Sequence, residues 1–226
     1  MNAVIYYSNT NESKRIAQYL AKKLGYTLLD VYDVSEYVYG NAVVVFPVYC
    51  QNIPNKVKEF LARFKADNFA AVATYGQMGY GNVLYEIQQK YARLTAAAYV
   101  PTKHAYLDGE RFDRFDRLDV IADKFRCPAL IAVPKARKHP FANFIKELRS
   151  RIGVKIIRDG SKCDNCGICA KMCNQHAIKN GKTTNKCIRC MKCVVNCPNN
   201  ALTLRKSKIM AKYLSKPRQT ELLIYV

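Results

Sequence analysis

Eight of the ten cysteines lie in residues 163–198, and they lie there as a repeat. Cys163, Cys166, Cys169 and Cys173 form one C-x2-C-x2-C-x3-C run. Cys187, Cys190, Cys193 and Cys197, followed by Pro198, form a second at an offset of 24 residues. The repeat continues past the cysteines, since Ala177-Ile178 matches Ala201-Leu202. No other feature restricts the fold so tightly. Each iron of a four-iron cube takes one thiolate, so four cysteines must converge on one small volume. Two-residue spacers let a looping backbone wrap three corners, and the x3 step sends the fourth cysteine, at a helix start, across to the other cube. One 4Fe–4S cluster is therefore expected on Cys163, Cys166, Cys169 and Cys197. The other is expected on Cys187, Cys190, Cys193 and Cys173.

Zinc is the competing metal, but tetrahedral zinc sites usually take separated C-x2-C pairs rather than triples at equal steps. A disulfide framework suits short secreted chains, and this chain is long with no secretion signal. Over roughly residues 155–204 the sequence resembles the bacterial two-cluster ferredoxins. It departs at Asn174, where that family usually has proline after the first run. The change bears on the local turn, and Cys173 keeps its ligand place.

With 226 residues, half of them hydrophobic, the chain can bury one good core and a small second domain. A two-cluster module needs only about 50–60 residues and draws much of its folding energy from metal. The first 150 or so residues must then form another domain, and the boundaries expected are 1–152, 153–204 and a basic extension 205–226. No apolar run reaches the length of about 18 residues that would span a membrane. Met1-Asn2-Ala3-Val4-Ile5 lacks the basic start of a signal peptide. A cytoplasmic, reducing and anaerobic setting is expected.

The formal net charge is +20, or about +16 once two clusters and their thiolates are counted. Residues 1–100 hold 10 basic and 7 acidic side chains, whereas residues 163–226 hold 12 and 2. Such a field attracts an acidic docking partner or nucleic acid.

Along the chain, Ala3 to Tyr7 reads as a buried parallel strand. Ser8-Asn9-Thr10-Asn11-Glu12-Ser13 follows, and then a helix from Lys14 to Leu24 with Ile16, Ala17, Leu20 and Leu24 on one face. A hydroxyl-rich loop at a helix start can cradle a phosphate, although N-capping alone also favours Ser and Thr there. Strands are expected at 26–31, 42–46, 69–74 and 96–100, and helices at 55–64 and 83–94. Alternating strands and helices give an α/β doubly wound parallel sheet of five strands. Ligands on such sheets sit outside the carboxyl ends of the strands. The loops 8–13, 47–54 and 75–82 lie at those ends.

Residues 3–100 resemble a flavodoxin, and the whole chain is similar to flavodoxin–ferredoxin fusion proteins, the EFR1-type ferredoxins. The phosphate loop carries the likeness at Ser8, Thr10 and Ser13 and departs at Asn11, where flavodoxins usually have glycine. Asn tolerates a left-handed backbone better than most residues. The resemblance implies FMN, with Ser8, Asn9, Thr10, Asn11, Glu12 and Ser13 on its phosphate. Pro47, Val48, Tyr49, Cys50, Gln51 and Asn52 would line one side of the ring, and Thr74, Tyr75, Gly76, Gly79, Tyr80, Gly81 and Asn82 the other. Tyr49, Tyr75 and Tyr80 are the aromatic candidates to stack on it, although tyrosines more often serve as core or rim.

The alternating charges of Arg111 to Asp119 around Phe112, Phe115 and Leu118 read as a solvated amphipathic helix. Pro128 to Pro140 reads as a basic, proline-marked linker or loop, and Phe141 to Ile152 as a helix. His104, His139 and His176 have no metal-site spacing. Cys127 is expected to be a buried core thiol, and Cys50 lies where it could touch the flavin. The tail begins basic and ends in Leu222-Leu223-Ile224-Tyr225-Val226, a basic helix and then a closing strand or docked segment.

A flavin and two clusters on one chain make an electron relay, since clusters transfer single electrons and flavin one or two. No acid–base or nucleophilic constellation is visible, and no G-x-G-x-x-G fingerprint. Lys186, Arg189 and Lys192 should raise the neighbouring cluster's potential. They also suggest docking of an acidic redox protein, a ferredoxin or flavodoxin-like carrier. Two other classes remain open. One is a flavin-dependent reductase of a small-molecule acceptor such as a quinone, activated alkene or corrinoid. The other is a nucleic-acid-binding protein with structural clusters, which the charge permits but no recognition motif supports.

Overall fold

The structure, a computed structural model, describes residues 1–143 and 153–226. They form two compact units. The first comprises residues 1–104, 108–143 and 218–226, and the second residues 105–107 with the described residues up to 217.

The first unit is a mixed α/β layer structure on a mainly parallel sheet. Its elements are β1 (Ala3–Tyr6), α1 (Glu12–Leu24), β2 (Thr27–Asp30), β3 (Val38–Pro47), α2 (Asn55–Leu61), β4 (Lys65–Tyr75), α3 (Val83–Lys90), β5 (Ala96–Pro101) and α4 (Asp119–Lys124), closed by β10 (Leu223–Tyr225). The strand order is β10-β5-β4-β3-β1-β2. Both faces of the sheet are covered, so its central strands are apolar throughout rather than alternating. The two-residue period then sorts the side chains. Ile5, Val44, Phe46, Ala71 and Tyr99 pack beneath α2 and α3, against Val57, Phe60, Leu84 and Ile87. Val4, Val43, Val45, Val72 and Val100 face α1 and α4, against Ile16, Leu20 and Ile121. α1 ends where Gly25 takes φ 67° and its N–H bonds the Ala21 carbonyl.

The sheet has a sixth strand beyond the five expected. Leu223, Ile224 and Tyr225 pair antiparallel with Tyr99, Ala98 and Ala97. The physical reason is the open edge of β5, whose unpaired N–H and C=O groups need a cover. Alternation serves both cores: Leu222 and Ile224 pack on one, Leu223 and Tyr225 on the other.

Two further expectations are corrected. Arg111 to Asp119 is not one solvated helix. A turn of 3-10 helix covers Phe115–Leu118 and α4 starts at Asp119. The charges pair with α1 instead of along their own segment. Asp119 accepts from Tyr19 and Lys23, both at 2.6 Å, and Arg111 lies 3.2 Å from Glu12. Cys127 is exposed, in the turn after α4, while Phe125 takes the buried place beside it. The proline-marked segment 128–140 has no regular structure before Pro140, yet it is strapped down. Val133 N–H donates to Gln88, Ala136 N–H to Asn82 and His139 N–H to Gln51. Of the helix expected from Phe141 to Ile152, Pro140–Asn143 is 3-10 turn and residues 144–152 lie outside the described residues.

Among its described residues the second unit has little core. β6 (Val154–Arg158) pairs antiparallel with β9 (Leu202–Lys206). β7 (Ile178–Lys179) and β8 (Lys182–Thr183) form a small hairpin about Asn180 and Gly181, with φ 49° and 70°. Two helical turns, α5 (Ile168–Lys171) and α6 (Lys192–Val195), lie within the cysteine runs. α7 (Lys208–Leu214) starts at Ser207, whose hydroxyl accepts from Met210 N–H at 3.2 Å. Among the described residues no helix is long and apolar enough to cross a membrane.

Removing residues 222–226 should strip the cover from β5 and expose both cores at that edge. The expected loss is about 2–4 kcal/mol, from several half-buried side chains at roughly 1 kcal/mol each. A lower thermal midpoint by circular dichroism checks it, and an unchanged midpoint would make β10 dispensable.

Candidate iron–sulfur site

The cysteine repeat is also a repeat of backbone conformation. Asn165 and Arg189 have φ 60° and 57°, Gly167 and Met191 have 74° and 67°, and His176 and Asn200 have 46° and 48°. Each pair is one repeat apart. Left-handed residues turn the chain sharply enough for successive cysteines to face inward. Non-glycine residues adopt them at a cost, so five such positions outside glycine are imposed by the site. Hydrogen bonds repeat too. The N–H of Ala177 donates to Cys173 Sγ at 3.4 Å, and that of Ala201 to Cys197 Sγ at 3.3 Å. The matching alanines recognised in the sequence are thus backbone donors to the fourth sulfur of each run.

Thiols of the two runs act on one another. Burial pushes the thiol of Cys193 up to about 12, and the thiols of Cys190, Cys187, Cys173 and Cys169 add to it in that order. Burial pushes Cys190 up to about 11, with Cys187 and Cys173 again among its neighbours. Both Cys173 and Cys169, from the first run, thus lie within reach of the second. Lys192 Nζ, beside Cys193, donates to Asn174 Oδ1 at 3.3 Å on the same side. Burial raises Cys169 as well, with smaller upward contributions from Cys163 and Cys166. The Asp164 carboxyl, between those two, is held below its usual range by the Cys166 N–H and then by the Asn199 side chain. This brings the chain just after Cys197 against the first run.

These residues fit iron–sulfur clusters. Soft sulfur ligands come from both runs, with backbone N–H donors aimed at the sulfurs of Cys173 and Cys197. Three buried side-chain nitrogens of this unit, Arg158 Nε, Asn174 Nδ2 and Arg189 Nη1, have no hydrogen-bond partner among the described residues. A zinc ion would draw its sulfurs to about 2.3 Å from one centre, whereas a cube sets each thiolate on a different iron.

The two sets differ in exposure. Cys187 and Cys193 are buried, while Cys166 is exposed and Cys163 and Cys169 are half-buried. One expectation about charge is corrected here. Lys186 is exposed and Lys192 half-buried, but Arg189 is only 9% exposed and offers no docking surface. Its Nε donates to the Val154 carbonyl at 3.0 Å, and its own carbonyl accepts from Tyr106 Oη at 2.9 Å. β6 and the residue 105–107 stretch hold it inward.

At the carboxyl ends of the first unit's strands, the three loops singled out in the sequence come together. Asn9 Nδ2 donates to Tyr7 Oη at 3.0 Å and Tyr49 Oη at 2.6 Å. The Ser13 and Thr74 hydroxyls share a 2.8 Å hydrogen bond. Gly81, at φ 64°, lies so close to Gln51 that a Cβ there would come within 2.6 Å of it. Asn11 is left-handed at φ 67°, and the start of α1 has no side-chain cap. Ser8 and Thr10 are half-buried beside it. Glu12 is buried at the first turn. Burial raises its carboxyl, and Arg111, then Arg15 and Lys103, act to lower it. Cys50 and Gln51 take φ 50° and 60° in a tight turn closed by the Tyr49–Asn52 bridge. Pro47, Val48 and Asn52 flank it half-buried, and Asn52 Nδ2 donates to the carbonyls of Cys50 and Ala142. Of the aromatic candidates, Tyr75 is buried in the core, while Tyr49 and Tyr80 are half-buried. Tyr80 packs on Tyr99 at 4.2 Å and edge-on to Tyr75 at 5.2 Å. Gly76 and Gly79 are half-buried and Asn82 is buried, bound to Ala136 N–H.

Residues 182–203 match the family of the 4Fe-4S binding domain. That match includes Cys187, Cys190, Cys193 and Cys197 and gives the C-terminal unit an iron–sulfur electron-transfer module. Among solved structures, the chain is similar to the Trp repressor binding protein from Bacillus subtilis. The identity is 13%, covering 54% of this chain and 94% of that one, with a TM-score of 0.33. No curated protein matches the chain.

In the metal-free protein, thiol reactivity should follow this geometry. Thiolate is the nucleophile, and a raised thiol holds less of it at neutral pH. Cys50, Cys127 and Cys166, all exposed, should alkylate first, and Cys190 and Cys193 last. The lag should shrink as pH rises toward 11, and vanish in denaturant. Peptide mapping after timed iodoacetamide treatment reads the order; equal rates for Cys166 and Cys193 would contradict the buried second set.

Proposed function

We propose that this chain is an iron–sulfur flavoprotein of the flavodoxin–ferredoxin fusion type, relaying electrons between two 4Fe–4S clusters, FMN and an external redox partner. One observation supports it above the others: the two cysteine runs repeat one backbone conformation and one N–H to fourth-sulfur hydrogen bond, and Cys173 lies within reach of Cys190 and Cys193, in keeping with an exchange of fourth ligands between two clusters. Clusters supply one-electron transfer when bound, and FMN supplies one- or two-electron transfer. The protein's part is to hold, orient and tune them. Cys163, Cys166, Cys169 and Cys197 hold the first cluster, and Cys187, Cys190, Cys193 and Cys173 the second. The Ala177 and Ala201 N–H groups withdraw charge from the fourth sulfur of each run.

For FMN, the support is positional. The parallel strands run in the order 2-1-3-4-5, which is the flavodoxin-like order. The loops 8–13, 47–54 and 75–82 lie together at the carboxyl ends. The uncapped start of α1 presents N–H groups for a phosphate, with Ser8, Thr10 and Ser13 as hydroxyl donors. Arg111 and Arg15 neutralise Glu12, which would otherwise repel that phosphate. The left-handed Cys50-Gln51 turn is a costly backbone choice of the kind found at ligand clamps. An acidic carrier is the partner, drawn by exposed Lys171, Lys179, Lys182 and Lys186 on the second unit.

Anaerobic purification with iron, sulfide and flavin counts tests both halves separately. Roughly eight irons, eight sulfides and one FMN per chain are expected from two ligand sets and one sheet-edge site. About four irons would remove one cluster, and iron without flavin would remove the FMN part alone.

A further inference from the structure

β6 lies outside the cysteine repeat, yet it grips both runs, and at matching places. Asn165 and Arg189 are one repeat apart, both left-handed at φ 60° and 57°, and each stands in the first two-residue spacer of its run. At one end of β6 the Val154 carbonyl accepts from Arg189 Nε at 3.0 Å. At the other end Arg158 Nη2 donates to Asn165 Oδ1 at 2.6 Å. Val154, Ile156 and Arg158 share one face of the strand by its two-residue period, and they are the less exposed set. Lys155 and Ile157, on the other face, are exposed.

Arg158 is built into its place. A Cβ on Gly181 would fall 2.5 Å from Arg158 Cδ, so residue 181 is glycine for space as well as for its φ of 70°. Arg158 Nη1 donates to the Asn180 carbonyl of the same hairpin at 3.4 Å. One planar guanidinium thus spans the hairpin and the first cysteine turn, which the single ammonium of a lysine does not match. Asp164 closes that turn on itself by accepting from Cys166 N–H at 3.1 Å. Asn165 is exposed and adopts a backbone that costs a non-glycine residue energy, so without an outside hold water competes for the turn. The second turn carries Ile188 and Arg189 in the two matching places, both buried, and is held by packing.

We propose that β6 is the spacer that sets the two cysteine turns in register, and that Arg158 is the positioning residue of the first site, holding Cys163 and Cys166 in ligating shape through Asn165. Val154 to Arg158 is four strand rises, about 13 Å. Two anchors at that separation fix where one turn stands relative to the other, and with it the gap an electron crosses between the sites. The anchors differ in kind. At Val154 the acceptor is a backbone carbonyl in a buried place, which no substitution of that residue removes. At Arg158 the donor is a side chain in a half-buried place. The first site is therefore the one whose ligands are released singly, and iron leaves it without the second site opening. This inference rests on the reading that both cysteine sets hold clusters.

Iron release to a chelator, from the whole chain purified anaerobically, tests this. Iron and sulfide counts first establish loading. The wild type should release iron in two phases. Iodoacetamide mapping during release should place Cys163 and Cys166 in the faster phase and Cys187 and Cys190 in the slower. Arg158→Leu keeps an apolar stem against Gly181 and removes the donors. Asn165→Gly removes the acceptor and tolerates the left-handed backbone. Each should speed the faster phase roughly fivefold, the size of one hydrogen bond from a charged donor at a partly exposed place, and leave the slower phase unchanged. The double variant should be no faster than either single one, because both break the same bond. Arg158→Lys should fall between wild type and Arg158→Leu. A general loss of structure would instead speed both phases, and independent effects would multiply in the double variant. Either result overturns the proposal, as does a single wild-type phase or a faster phase that no variant moves. With about eight irons per chain, such a result overturns this inference alone; about four irons overturns the two-cluster reading and this inference together. If Arg158→Leu does not fold, Asn165→Gly and Arg158→Lys decide by the same two phases.

Discussion

Ligand sulfurs sit in a unit whose described residues have little else to bury. Its buried apolar side chains among those residues are few, chiefly Val154, Ala177, Ile188, Met191, Ala201, Leu202 and Leu214. Against them stand thiols whose ionisation burial opposes and whose neighbours oppose it further. Without metal, such a fold is held mainly by the β6–β9 pair and by left-handed turns that each cost energy. With metal, ligand bonds supply what the core does not. The second unit is thus arranged by its cysteines, and its strands and helical turns are spacers between them.

The first unit obeys a different constraint. A sheet covered on both faces fills itself with Val, Ala and Ile, and chemistry is pushed to the strand ends. There the backbone departs from regularity in three neighbouring loops, and side chains tie them together: Asn9 to Tyr49, Ser13 to Thr74, Gln51 to His139 N–H. The strap at 131–139 holds two of these loops through Asn82 and Gln51. Glu12 shows how closely charge is managed there. Its carboxylate is buried at a helix start, where the dipole already favours an anion, and two arginines are still recruited to it.

How much of this was legible in the sequence depended on whether the signal was local. The parallel strands were readable because β3 and β4 are apolar runs longer than any amphipathic helix would allow. Their polar extensions, Val38–Asn41 and Lys65–Asn68, were not, since only pairing to each other makes them strands. β10 was readable as a closing strand, but not which edge it would join, because that depends on β5 being open. The Arg111 to Asp119 pattern misled. Its charges have helical spacing, but Lys23, Tyr19 and Glu12 on α1 offered better partners than their own neighbours. Arg189 misled for a related reason: a cation among cysteines reads as surface, and its burial follows from Val154 and Tyr106, distant in sequence. The Asn180-Gly181 hairpin signal was present and passed over beneath the stronger cysteine pattern. For the cysteines themselves, spacing carried the two four-cysteine runs, and the family match at residues 182–203 covers the second of them.

A repeat is a controlled comparison written into one chain. Where two positions share a conformation and a residue type, as at the Ala177 and Ala201 N–H donors, the role belongs to the architecture. Where they share the conformation and not the residue, the difference cannot be blamed on the backbone. Met191 at φ 67° occupies the place of Gly167, and Arg189 the place of Asn165, so the second run takes the less comfortable residue both times. Met191 is buried at 4% exposure and Arg189 at 9%, the latter with its Nε donating to the Val154 carbonyl. Their counterparts Gly167 and Asn165 are half-buried and exposed. The second run therefore places its strained residues where burial holds them, and the first run leaves the same conformations to residues that adopt them at less cost.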